Sequence, residues 1–108
     1  MTKRQLKNKF WELVDGYRVD NNKLLKLYEE GRITYGFYLT HNLYDNYHYQ
    51  ELANKPIEKL TKWTIEYCLK ELEKAMNELN QVVEEQENLP FEETQMQVLI
   101  KEGKIKWM

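Results

Sequence analysis

Cysteine is nearly absent from this chain: Cys68 is the only one in 108 residues. That excludes an intramolecular disulfide and a zinc site built from cysteines, and it fits a reducing, cytoplasmic setting. Glycine is scarce too, with four in all, and the sequence has neither a Gly-rich phosphate loop nor a nucleophile elbow. The two prolines lie outside any Ser/Gly-rich stretch, so no linker divides the chain and residues 1–108 are expected to form a single helical domain. Long apolar runs are missing as well. No stretch of about 18 apolar residues is available to cross a membrane, and in MTKRQLKNKFWELV polar residues interrupt every hydrophobic group, which argues against a secretory signal.

What is present is 42% apolar and 31% charged residues, enough of each to fold in water. The net charge of -2 names no partner, but its distribution is uneven. Residues 1–26 carry seven basic and three acidic side chains, net +4, whereas residues 71–93 carry eight acidic side chains against Lys74, net -7. Solvated helix faces that attract one another when the ends meet in the fold are the preferred explanation, ahead of a nucleic-acid surface.

Apolar spacing reads mainly as helix. Leu6, Phe10, Leu13, Val14 and Tyr17 recur behind a Thr2 cap and predict a first helix ending near Gly16 or Arg18. Asp20, Asn21 and Asn22 then read as turn and cap residues before a short helix with Leu24, Leu25, Leu27 and Tyr28, stopped by Gly31. From Arg32 to Tyr49 two periods compete. Ile33, Tyr35, Phe37 and Leu39 alternate like a strand at 33–39, while Phe37, His41, Tyr44, His48 and Leu52 follow helical spacing for longer. The length of the helical pattern decides for a helix capped by Thr34 and closed before Pro56.

The strongest periodic signal follows. Pro56 suits a helix start, and Ile65, Leu69, Leu72, Met76, Leu79 and Val83 form an unbroken heptad seam, so one long helix is expected over about 56–86. Ile57, Leu60, Trp63 and Tyr67 place a second apolar side on its first half. A helix of about 30 residues spans roughly 45 Å against a radius of gyration of about 13 Å for a compact chain of this length. It should therefore overhang its own domain, and Leu72, Met76, Leu79 and Val83 become candidates for self-association as a homodimer. Beyond Pro90 a short helix through Met96, Leu99 and Ile100, ended by Lys101 and Gly103, competes with a hairpin at 97–107; the helix is preferred, with a tail returning Trp107 to the core. The expected fold is a mainly α bundle of about four to five helices around one long helix, the alternative being α+β with the strand and the hairpin.

Two constellations invite a functional reading. His41, Asp45 and His48 share one face if their segment is a continuous helix, and two imidazoles with a carboxylate can hold a divalent ion. No catalytic glutamate flanks the first histidine, so the preferred assignment is polar-edge aromatics, and no cofactor is expected. The second is aromatic density: Tyr35, Phe37, Tyr38, Tyr44, Tyr47 and Tyr49 fall within fifteen residues, more rings than one helix can turn inward. Tyrosine is enriched at recognition surfaces, which makes Tyr35, Tyr38, Tyr44, Tyr47 and Tyr49 candidates for a protein-binding face. Base stacking fits less well, because Arg32 alone is basic in that segment.

The leading expectation is a small non-enzymatic interaction protein, an inhibitor, adaptor or regulator, whose partner is another protein or a second copy. Its richness in Lys, Glu, Asn, Tyr, Ile and Leu is the pattern of AT-rich coding sequence and points to a low-GC bacterium, its phages or its mobile elements. Two alternatives belong to other classes: a nucleic-acid-associated regulator using Lys3, Arg4, Lys7 and Lys9, and a metal-dependent enzyme using the His/Asp trio.

Overall fold

The computed structural model describes residues 1–105. Among them are five α-helices, α1 (Lys3–Glu29), α2 (Tyr35–His41), α3 (Tyr47–Asn54), α4 (Lys62–Asn88) and α5 (Gln95–Lys101), with short 3-10 turns at Leu43–Asp45, Ile57–Lys59 and Phe91–Glu93. No strand occurs among the described residues, so the strand at 33–39 gives way to α2 and the first arm of the hairpin at 97–107 to α5. The predicted position of Trp107 lies outside the described residues.

Two helices are long, not one. α1 opens on a Thr2–Gln5 capping box and runs unbroken through Gly16 and the Asp20-Asn21-Asn22 triplet to Glu29. The predicted stop near Gly16 fails because the apolar stripe continues: Leu6, Phe10, Val14, Leu24 and Leu27 are all buried along one side. Asn21 lies in the same stripe, and its Oδ1 accepts a hydrogen bond from Leu43 N at 2.8 Å instead of capping a local helix start. Gly31 then closes α1 as foreseen. Its φ of 75° lets Arg32 N reach Leu27 O at 2.9 Å and Gly31 N reach Tyr28 O at 3.0 Å, the paired bonds of a Schellman motif. Gly103 repeats that closure on α5, with φ 74° and Lys104 N bonded to Leu99 O at 2.9 Å.

α4 begins six residues later than Pro56. Thr61 wins as the cap by accepting from Thr64 N at 3.1 Å, and Pro56 instead opens the 3-10 turn that sets Ile57 and Leu60 against the core. The heptad seam is confirmed and extends one step further, to buried Gln86. Its expected second apolar side is not covered: Trp63 is 71% exposed and Tyr67 46%.

α1 and α4 run parallel, in a register of 60 residues. Tyr17 Oη donates to Asn77 Oδ1 at 2.5 Å, and Asn80 Nδ2 donates to Asp20 Oδ2 at 3.2 Å. The chain between them returns antiparallel as α2, a 3-10 turn and α3. One core cluster joins Leu6, Phe10 and Val14 to Leu52, Ile65, Leu72 and Met76; a second, nearer Gly31, joins Leu24, Leu27 and Ile33 to Leu79 and Val83.

This arrangement removes the overhang. The molecule measures 51 × 22 × 17 Å, with a radius of gyration of 16.4 Å, so the whole domain is drawn out to match α4. Leu72, Met76, Leu79 and Val83 are each at most 1% exposed within their own chain, so these four do not form a surface for a second copy. An α1 of 27 residues, long enough to line α4, is what covers them.

Parallel packing also corrects the expected charge pairing. The basic start of α1 lies at the opposite end of the rod from the acidic end of α4, and among the described residues Lys23–Glu87, at 4.0 Å, is the only ion pair between the two helices. At the far end Arg32 closes α4, donating from its guanidinium to Gln86 O at 3.4 Å and Leu89 O at 3.2 Å. Buried Gln86 in turn accepts from Gln95 N at 2.8 Å and so caps α5 in place of Thr94, whose hydroxyl donates to Phe91 O. No described helix is long and apolar enough to cross a membrane.

Candidate interaction surface

The tyrosine-rich segment is not one helix, and its rings do not form one face. Asn42 and Asn46 both take extended conformations, and Asn46 Oδ1 caps α3 by accepting from His48 N at 2.8 Å and Tyr49 N at 3.2 Å. The Asn46 cap, with the extended backbone at Asn42 four residues earlier, outweighs the helical apolar spacing around them.

The consequence for His41, Asp45 and His48 is separation. His41 ends α2 with Nδ1 3.0 Å from Phe37 O, Asp45 sits in the 3-10 turn accepting from Asn42 Nδ2, and His48 lies in the first turn of α3. Their shared helical face does not exist. Among the described residues no group of three His, Cys, Asp or Glu side chains is placed to hold a metal ion.

The five candidate tyrosines divide among three clusters. Tyr35 and Tyr38 gather with Tyr28 of α1, where Tyr28 and Tyr38 stack at 5.6 Å. Burial raises the Tyr38 phenol above its ordinary value, with Asp45 adding to the effect. Tyr44 stands edge-on to Tyr49 at 5.4 Å, and Tyr49 packs against the fully buried Phe10 ring. Tyr49 is also raised, first by burial and then by Tyr44, with Arg18 opposing.

The third cluster is the most exposed. Trp63 and Tyr67, one turn apart on α4, stack at 5.4 Å with ring planes 10° apart. His48 meets Tyr67 edge-on at 5.8 Å, and Tyr47 meets His48 edge-on at 5.5 Å. Four rings thus form a continuous ladder across α3 and α4, and Tyr47, Trp63 and Tyr67 are 68%, 71% and 46% exposed. His48 Nδ1 is buried in it without a hydrogen-bond partner. Comparison with known protein families, characterised proteins and solved structures finds no match.

Sequence reasoning singled out Tyr47 but assigned Trp63 and Tyr67 to a covered side of the long helix. A signal for them was available: both lie off the heptad seam at i and i+4, on the side of α4 otherwise occupied by Lys62, Glu66 and Lys70. The basic start of α1 offers less than its charge implied. Lys7 Nζ donates to the Leu52 carbonyl and, at 3.4 Å, to Lys55 O, satisfying the end of α3, and burial lowers its pKa. Arg4 and Lys9 remain exposed.

Proposed function

We propose that this protein is a small non-enzymatic interaction module, an inhibitor, adaptor or regulator of a low-GC bacterium or its mobile elements, and that it docks onto another protein through the Tyr47–His48–Tyr67–Trp63 ladder. The observation that carries this is the exposure of three large rings held in line by two packed helices. Trp and Tyr dominate binding hot spots because they bury much area with few torsions to freeze, and rings already stacked lose less freedom on binding. Trp63 and Tyr67 lie on the side of α4 away from its buried seam, where the core has no use for two large rings, and that outward placement supports a partner-facing role.

The test is affinity capture from cells of the source organism with wild type, the Trp63→Ala/Tyr67→Ala double variant and a Tyr35→Ala control, each checked for unchanged thermal unfolding. A partner docked on the ladder is retained by wild type and Tyr35→Ala. Loss of two hot-spot rings weakens it by roughly 30-fold or more, equivalent to about 2 kcal/mol. A partner retained equally by the double variant refutes the assignment.

A further inference from the structure

A second exposed aromatic surface lies near the Gly31 end of the rod, on α1 and α2. Tyr28, Tyr35 and Tyr38 pack into a triangle with ring centroids 5.5, 5.6 and 6.2 Å apart. Tyr28 and Tyr35 are 37% and 56% exposed. Leu25 and Leu39, one turn from them along their helices, are exposed as well, so apolar contact is available around the rings.

The charge around these rings has one sign. A shallow open hollow beside Tyr28 is lined by Glu29, Glu30, Gly31 and Met96. Burial raises the Tyr38 phenol, and Asp45, Tyr35 and Glu29 each add to that rise with no cation opposing. Lys26 and Arg32, the bases closest in sequence to Tyr28, line a different hollow with Lys23 and Glu87. Arg32 is engaged further: its guanidinium donates to Glu30, Gln86 O and Leu89 O and lies over the Phe91 ring at 5.7 Å. Glu29 and Glu30 also stand at the C-terminal end of α1, where the macrodipole is negative. Carboxylates, macrodipole and ring faces therefore add to one negative field.

We propose that this patch docks an arginine side chain of a partner protein, its guanidinium stacked against the exposed Tyr28 and Tyr35 rings and its charge facing Glu29. Shape selects arginine over lysine. A flat, weakly hydrated guanidinium stacks on an open aromatic surface, whereas a compact ammonium keeps its water there. Exposed tyrosines with leucines at their edge and an arginine opposite are the usual make-up of a protein contact. The patch shares no residue with the aromatic ladder and stands whether or not that surface docks a partner.

The test is a titration of the protein with acetyl-triarginine amide at constant ionic strength, followed by ¹H–¹⁵N correlation spectra, with trilysine and tricitrulline peptides in parallel. The expected result is saturable shifts of the Glu29, Gly31 and Tyr35 backbone amides, with a millimolar dissociation constant in keeping with so small a ligand. Trilysine should bind at least about threefold more weakly, and tricitrulline, close to arginine in shape but uncharged, should leave these amides unmoved. Tyr35→Leu keeps apolar bulk and removes the ring. It and Glu29→Gln, both at exposed positions, should each weaken triarginine by about two- to fivefold. The Trp63→Ala/Tyr67→Ala variant should bind it as wild type does. Shifts that stay linear, that trilysine reproduces at equal affinity, or that ignore Tyr35→Leu or Glu29→Gln would overturn the proposal. So would shifts lost in the ladder variant, which would move the peptide to that surface. Self-association in sedimentation that Arg4→Gln abolishes would give the patch to a second copy instead.

Discussion

Asn21 and Asn22 are adjacent, chemically identical and opposite in role, which makes the pair a direct test of the continuous α1. Asn21 is 5% exposed and its Oδ1 accepts the buried Leu43 N–H at 2.8 Å, while Asn22 is exposed. Replacing Asn21 with Ala strands that N–H, a loss of about 1–3 kcal/mol, against which Ala returns about 0.5 kcal/mol of helix propensity. The net expectation for Asn21→Ala is a destabilisation of about 0.5–2.5 kcal/mol. Asn22→Ala loses no partner and should stabilise by about 0.5 kcal/mol. Urea unfolding followed by far-ultraviolet circular dichroism reads both, with the slope unchanged so that the midpoint alone moves. In a domain of this size the pair should separate by roughly 4–24 °C in Tm. If instead the chain turned at residues 20–22, Asn22 would help cap the second helix, and Asn22→Ala would cost as much as Asn21→Ala. Equal losses would refute the single 27-residue helix.

Glycine substitutions should likewise diverge. A Cβ at Gly16 meets nothing within 4 Å, so Gly16→Ala should stabilise by about 0.5–1 kcal/mol, whereas Gly31→Ala, at φ 75°, should cost about 1–2 kcal/mol, both read by urea midpoints. Met76→Ala, at a site 1% exposed between α4 and its neighbours, should destabilise the single chain by about 2–5 kcal/mol, independently of protein concentration. A concentration-dependent loss would return that face to a dimer. Stability should fall as pH rises above about 9–10. Cys68, Tyr38 and Tyr49 are all raised above their ordinary values of 9.0, 10.0 and 10.0 by burial, so for these three the unfolded chain ionises first and holds fewer protons in that window, outnumbering Lys7, whose lowered value acts the other way. Urea titrations at stepped pH check the sign, and a disulfide reagent should find the Cys68 thiol slow until urea opens the core.

The mainly α class was legible because helical periodicity survives in Ile65 through Val83 whatever packs on it, and because Thr34, Gly31 and Gly103 act through local backbone geometry. What escaped depends on partners distant in sequence. Asn21 looks like a cap until Leu43 is placed beside it, and no local pattern reveals that bond. Asn42 and Asn46 break a helix that apolar spacing alone would continue, so the shared face of His41, Asp45 and His48 was lost with it. Of the aromatic surface, the abundance of rings could be counted, but not their division into three clusters. That division follows from the break together with the turn of α3, which sets Tyr47 beside His48 and leaves Tyr49, with Tyr44 against it, on Phe10 of α1.

The 60-residue register between Tyr17 and Asn77, and between Asp20 and Asn80, has a consequence during synthesis. A helical hairpin satisfies its first helix with the second as soon as a short loop has emerged. Here α1 meets its main partner only after the whole returning segment has been made. At about 5–20 residues per second, sixty residues take roughly 3–12 s. For that interval Leu6, Phe10, Val14, Leu24 and Leu27 have only the α2–α3 segment to cover them, and the nascent chain is a transient client for whatever binds apolar helices at the ribosome.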